Sequence, residues 1–191
     1  MLAVSLGTTI IRPHPSLSWA NTNGEQFNAL VAQLEKVLPN GTYPERTRLL
    51  NVLGRTQKPE LVERALNFII EKKLPSYFAR YILDGIQANP AALGVAVNWT
   101  ETHWADLINN TEAGPVYFLS RLIPAMTTRK EIDSVRAFIA DPTRLQYQPA
   151  VNSALDDALK KVAWVERDSD KLKAWLASEV PVTAEAAKSA P

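Results

Sequence analysis

Apolar residues recur at helical intervals from about residue 25 onward. Phe27, Leu30, Val31, Leu34, Val37 and Leu38 fall three or four apart, which puts them on one stripe of a helix whose other side carries Glu25, Gln26, Gln33, Glu35 and Lys36. PNGTYP (39–44) ends that helix, since proline, asparagine and glycine each disfavour its continuation. The next stretch, LLNVLGRTQKPELVERALNFII (49–70), predicts two helices with little between them. Pro44 suits a first turn, Glu45 complements the positive end of the helix dipole, and Leu49, Leu50, Val52 and Leu53 form a buried side. Gly54 is expected to take a left-handed stop. Pro59 and Glu60 repeat the same start ahead of Leu61, Val62, Ala65, Leu66, Ile69 and Ile70. A link this short cannot carry the chain far, so the two helices are expected to lie antiparallel.

The pattern repeats down the chain. Pro75 and Ser76 open a helix carrying Phe78, Tyr81, Ile82 and Ile86; Asn89 and Pro90 open another carrying Leu93, Val97, Trp104 and Leu107. Val116, Phe118, Leu119, Leu122 and Ile123 follow NNTEAGP, and a cap at Thr127 or Thr128 precedes Ile132, Val135, Phe138 and Ile139. A last pair is expected after ADPTRLQYQP, with Leu155, Leu159, Val162 and Trp164 on one helix and Leu172, Trp175 and Leu176 on the other. Only residues 2–11 hint at a strand. The fold class is therefore all-α, an irregular HEAT-like or armadillo-like stack of antiparallel helix pairs starting near 44, 75, 116 and 149. Residues 25–178 form the helical-repeat domain, 1–24 a poorly ordered N-terminal segment and 179–191 a frayed tail.

Composition changes this picture mainly by exclusion. A formal charge of +1 over 191 residues gives no basic footprint for nucleic acid. MLAVSLGTTII is about half a membrane span and lacks a basic lead, so neither a membrane span nor a signal peptide is expected. Cysteine is absent, which removes disulfides and thiolate chemistry and favours a cytoplasmic setting, with the secretory pathway as the alternative. Three N-x-S/T sequons, at Asn40, Asn98 and Asn109, are expected to be unused.

Candidate chemistry is sparse. The two histidines, His14 and His103, are isolated, and a zinc site needs three or four ligands, so metal ligands in this chain are none. No G-x-S-x-G, activated nucleophile or phosphate-cradling glycine loop occurs, so catalytic residues are none. Asp156 and Asp157 are neighbours on a helix and point apart, which makes them a solvated face. Trp99, Trp104, Trp164 and Trp175 fall at helical spacing among aliphatic residues, so core packing is their default; Trp104 and Trp164 are also candidates to line a groove.

Four phrases, in order, resemble the C-terminal helical domain of the zinc aminopeptidases of the puromycin-sensitive, endoplasmic-reticulum and alanyl types. They are LLNVLGRTQKPELVERAL (49–66), NWTETHWADL (98–107), LSRLIPAMTTRKEIDSVRAFIAD (119–141) and ALDDALKKVAWVERDSDKLKAWL (154–176). The resemblance implies a HEAT-like bowl of paired helices that closes over a catalytic domain and encloses a peptide chamber. It implies no cofactor in this chain, since the family's H-E-x-x-H zinc motif and G-x-M-E-N anchor lie in upstream domains that this sequence lacks. Departures occur within the matched part: Lys161 stands where the family has an asparagine, and Pro149, Tyr77 and Phe78 fall near other frequent polar positions. The function implied is that of a non-catalytic C-terminal domain, a fragment or truncated relative, walling the peptide chamber. Its partners would be peptide and the catalytic domain of an aminopeptidase, and Arg121 and Arg144 are the candidate peptide-binding residues, because guanidinium groups suit a terminal carboxylate. The alternative is a free-standing helical scaffold binding a protein or peptide partner.

Overall fold

The structure, a computed structural model, describes residues 24–179. The expectations for the N-terminal segment and the tail past 179 lie outside the described residues. Among those described there is no strand, and nine α-helices follow one another: α1 (Gly24–Asn40), α2 (Tyr43–Gly54), α3 (Pro59–Glu71), α4 (Ser76–Gln87), α5 (Pro90–Thr102), α6 (Trp104–Asn110), α7 (Gly114–Leu122), α8 (Arg129–Ile139) and α9 (Gln148–Glu179). Short 3-10 turns at Ile123–Ala125 and Pro142–Tyr147 precede the breaks before α8 and α9.

The starts follow the sequence closely. Thr42 and Glu45 form a capping box: Glu45 Oε2 accepts from the Thr42 backbone N–H at 2.8 Å, and Thr42 Oγ1 accepts from the Glu45 N–H at 3.4 Å. Thr128 and Glu131 repeat the device at α8. Asn89 Oδ1 accepts from the Ala91 N–H, and Pro59 and Pro90 occupy first turns where a missing N–H costs nothing.

These helices stack in two layers, with α2, α4, α7 and α9 in one and α3, α5 and α8 in the other. The apolar stripes meet between the layers in a continuous core that includes Leu50, Leu66, Ile82, Phe118 and Leu119, all fully buried. Each such side chain contributes roughly 1.5–3 kcal/mol by leaving water. The first pair is covered by α1, whose Phe27 and Leu34 are buried. The Arg64 guanidinium of α3 lies 4.6 Å from the Phe27 ring centroid and donates to Asn28 Oδ1.

The tightest contact joins α2 to α4 and depends on two glycines. A Cβ on Gly54 would sit 2.0 Å from the Ile82 carbonyl oxygen, and one on Gly85 would sit 2.3 Å from the Asn51 carbonyl oxygen. Both are backbone atoms, so relief requires the helices to separate. The expected left-handed stop at Gly54 is corrected accordingly: the backbone there is not at positive φ, and the glycine is needed for close approach. Among the described residues the left-handed ones are Lys73 (φ 47°), after α3, and Gly114 (φ 64°).

Three other expectations change. The helix expected to run from Asn89 through Leu107 breaks at His103 (φ −99°, ψ 22°). At the break Thr102 Oγ1 donates to the Asn98 and Trp99 carbonyls and His103 Nδ1 donates to Trp99 O, which also accepts the last ladder bond from the His103 N–H. The expected last pair is instead the single helix α9, because residues 163–172 contain neither glycine nor proline and the apolar repeat runs straight through. Finally, Trp164 and Trp175, taken as core, are each 56% exposed, because Val162 is the last buried residue of α9 and past it the helix is held to the body mainly by the Glu166–Arg129 ion pair.

Candidate functional site

The outward face of the α2–α4–α7 layer brings tyrosine, arginine and aspartate side chains from three helices together. On α4, Tyr77, Arg80, Tyr81 and Asp84 recur at intervals of three and four and share one side of the helix. The Tyr81 hydroxyl lies 3.1 Å from that of Tyr43 on α2. Arg80 packs its guanidinium 4.6 Å from the Tyr81 ring centroid and donates from Nη2 to the Tyr81 hydroxyl at 3.2 Å. Its Nε is buried and has no hydrogen-bond partner. Tyr43 and Tyr77 are both more than half exposed. The hydrogen bond to Tyr81, followed by burial, raises the Tyr43 phenol above its ordinary value, so it stays a neutral donor at physiological pH.

Arg121, on α7, completes this face. Its guanidinium is 3.5 Å from the Asp84 carboxylate and 5.8 Å from the Tyr117 ring centroid. The Gln87 side-chain amide donates to the Arg121 carbonyl, and the Tyr117 hydroxyl donates to Ser76 O at 3.1 Å, so α4 and α7 are tied at both ends of the strip.

Arg144 is placed elsewhere. It stacks 3.9 Å from the Phe138 ring centroid, donates to the Phe138 carbonyl at 3.0 Å and pairs with Asp141 at 3.3 Å, fastening the 3-10 turn to the end of α8. Phe138 also meets Trp104, which is partly buried and edge-on to Tyr147, so Trp104 is a packing residue here. Glu101 lies nearby. Burial raises its carboxyl above the usual carboxylate range, the Arg144 charge opposes that, and its Oε1 is buried with no partner. The two candidate arginines therefore share no partner.

Among the described residues no group of three or more His, Cys, Asp or Glu side chains could hold a metal ion. His103 stacks on Trp99 with ring centroids 4.5 Å apart and bonds to the adjacent backbone, so the described residues do not fit a zinc centre. Lys161, which replaces an asparagine of the resembled family, donates to the Pro124 carbonyl at 2.9 Å. Asp156 and Asp157 pair separately, with Arg136 and Lys160, on the exposed side of α9. No described helix is long and apolar enough to cross a membrane. The face on α4 presents hydrogen-bond donors beside aromatic surface and no nucleophile beside a base. Sequence reasoning missed Tyr43, Tyr77 and Arg80. Their one signal was the i, i+3, i+4, i+7 recurrence of polar and aromatic residues from Tyr77 to Asp84.

Comparison with known proteins agrees with the helical architecture. Aminopeptidase 2, mitochondrial, of Saccharomyces cerevisiae is 24% identical over 136 residues, covering 69% of this chain and 14% of that protein. The alanine/arginine aminopeptidase of the same yeast is 23% identical over 135 residues, covering 69% and 16%. Aminopeptidase M1-B of Oryza sativa subsp. japonica is 23% identical over 124 residues, covering 64% and 14%. The match thus spans about a seventh of these relatives' length. Residues 16–163 match the model of the ERAP1-like C-terminal domain, and the chain accordingly belongs to that family, the C-terminal domain of the M1 aminopeptidases.

Proposed function

We propose that this chain is a non-catalytic, HEAT-like wall of an aminopeptidase peptide chamber, and that the α2–α4–α7 face is the side turned toward peptide. The observation that carries the reading is the strip from Tyr43 through Arg80 and Tyr81 to Arg121, where outward donors stand beside exposed aromatic rings. Arg80 and Arg121 supply fixed positive charge for carbonyl and carboxylate oxygens, and the tyrosines supply flat apolar surface with a donor at its edge. Binding energy realised here, away from a scissile bond, positions a substrate without any chemistry from the wall itself. Zinc and the bond-breaking groups belong, in this reading, to a catalytic domain that is the chain's partner. The lack of cysteine fits a cytoplasmic setting.

Fluorescence anisotropy with labelled peptides ending in a free carboxylate or an amide tests the proposal. Arg121→Ala is expected to weaken the free-acid peptide by about tenfold and to leave the amide nearly unchanged. Arg144→Ala is expected to have the smaller effect, because that guanidinium is held more closely, by the Phe138 ring at 3.9 Å, the Phe138 carbonyl and Asp141, than Arg121 is by Asp84 at 3.5 Å and Tyr117 at 5.8 Å. Equal loss for acid and amide, or no peptide binding by the unaltered chain, contradicts the assignment.

A further inference from the structure

The distal half of α9 carries an apolar stripe that the described structure leaves about half exposed. Counting in sevens, Val151, Leu155, Ala158 and Val162 occupy successive core positions, and all four are buried against the body. The same register continues without a break through Val165, Ser169, Leu172 and Leu176, where the three apolar side chains are 49%, 49% and 46% exposed. The two half-exposed tryptophans, Trp164 and Trp175, are eleven residues and so three turns apart, and they flank the stripe on one side. The last attachment to the body is Glu166, gripped by Arg129 of α8 at 2.8–3.1 Å. Beyond it the polar contacts run within α9: Arg167 with Asp168, Lys173 with Asp170, and the Ser178 hydroxyl with the Trp175 carbonyl.

We infer that this segment is a docking surface for a second copy of the chain, pairing α9 with α9 in antiparallel orientation over residues 165–176. The register is self-complementary. With a two-fold axis near residue 170, Val165 meets Leu176 of the other copy and Ser169 meets Leu172, so every core layer is filled. Charge agrees, since Glu166 of each copy, besides its pair with Arg129, falls beside Lys173 of the other on the rim, and apart from Arg167 the segment's acids (Glu166, Asp168, Asp170) precede its bases (Lys171, Lys173). A parallel pair is the less suitable arrangement, because it would set both bodies at the same end of the contact and, with Val151 to Val162 buried, could not extend beyond the same short stretch. The paired stretch is about 18 Å long. The five exposed large residues offer roughly 500 Å² per copy, which sets the contact at the low end of specific interfaces and predicts a dimer of micromolar strength.

Sedimentation velocity on the full chain between about 1 and 200 μM tests this, with a concentration-dependent shift from monomer to dimer as the expected result. Leu172→Asp should leave the chain monomeric throughout that range while its circular dichroism and melting as a monomer stay unchanged, because Leu172 touches nothing in the body. Lys173→Glu and Glu166→Lys should each weaken self-association several-fold, and mixing the two should restore dimers. A parallel pair would give no such rescue. A chain that stays monomeric at 200 μM, whether because another segment covers the stripe or because it stays bare, overturns the proposal. So does a dimer that survives Leu172→Asp, or a mixture no more dimeric than its components.

Discussion

The seam between α2 and α4 and the distal half of α9 are written in the same apolar periodicity, yet they end in opposite environments. At the seam Leu50, Leu53, Ile82 and Ile86 are fully buried, and two glycines let the backbones meet. Along α9 Val165, Leu172 and Leu176 keep the same spacing and stand in solvent. An apolar stripe thus specifies that a helix wants a partner, and only the rest of the chain determines whether one arrives. Small residues mark where it has: the missing Cβ atoms at Gly54 and Gly85 record a neighbour, whereas residues 163–179 contain no glycine at all.

Substitutions that remove packing separate the two regions most strongly. Phe118→Ala, in the core between the layers, should cost about 3–5 kcal/mol in urea denaturation. Trp175→Ala, at concentrations dilute enough to keep the chain monomeric, should stay within about 0.5 kcal/mol. A large loss from Trp175→Ala in the monomer would mean that the end of α9 is covered.

The seam itself is tested by paired glycine substitutions. Alanine is the better helix former by about 1 kcal/mol, yet Gly85→Ala should destabilise by roughly 2 kcal/mol because its methyl would meet the Asn51 carbonyl. Gly94→Ala, where nothing lies within 4 Å, should stabilise by up to about 1 kcal/mol in the same assay. Equal responses at the two sites would dismiss the close approach of α2 and α4.

Smaller effects come from the caps and from one carboxylate. Thr128→Ala should lower stability by about 1 kcal/mol through loss of the α8 capping box, read as a shift in the urea midpoint. Glu101 acts in the reverse sense to most carboxylates. Burial raises its value in the folded chain above the ordinary 4.5, so the folded state is favoured below pH 4.5 and that advantage fades as pH rises through the folded value. Glu101→Gln should therefore stabilise the chain at pH 7 and change little below pH 4.5, as followed by melting temperature across that range. Glu45 shows the usual direction: hydrogen bonds from the Thr42 backbone and side chain lower its value, so its contribution is complete above 4.5 and is lost as pH falls through the lower folded value.

The sequence made the helices legible because their starts are chemical: Pro44, Pro59, Asn89 and Thr128 each supply a cap or a pre-set first turn, and each marks a start in the structure. The break at His103 was hidden because the apolar spacing continues across it and no glycine or proline stands there, while the side-chain bonds that gather at it, to the Asn98 and Trp99 carbonyls, leave no trace in periodicity. The unity of α9 was missed because its polar middle, ERDSDK, resembles a turn in composition while lacking any residue that forces one. At the candidate site, Arg121 was visible as a guanidinium on a helix, but its neighbours Tyr43, Tyr77 and Arg80 come from helices whose side-by-side placement only the fold provides. Arg144 looked equivalent in sequence and differs because the Phe138 ring and Asp141 hold it in place.

Amide hydrogen exchange at low micromolar concentration tests the contrast between buried and uncovered stripe most directly, since it reports local opening along both helices in one experiment. Amides of residues 78–86 in α4 should exchange only with global unfolding, while those of residues 168–178 in α9 should exchange faster by several orders of magnitude. Comparable protection in the two segments under conditions where the chain is monomeric would contradict the account.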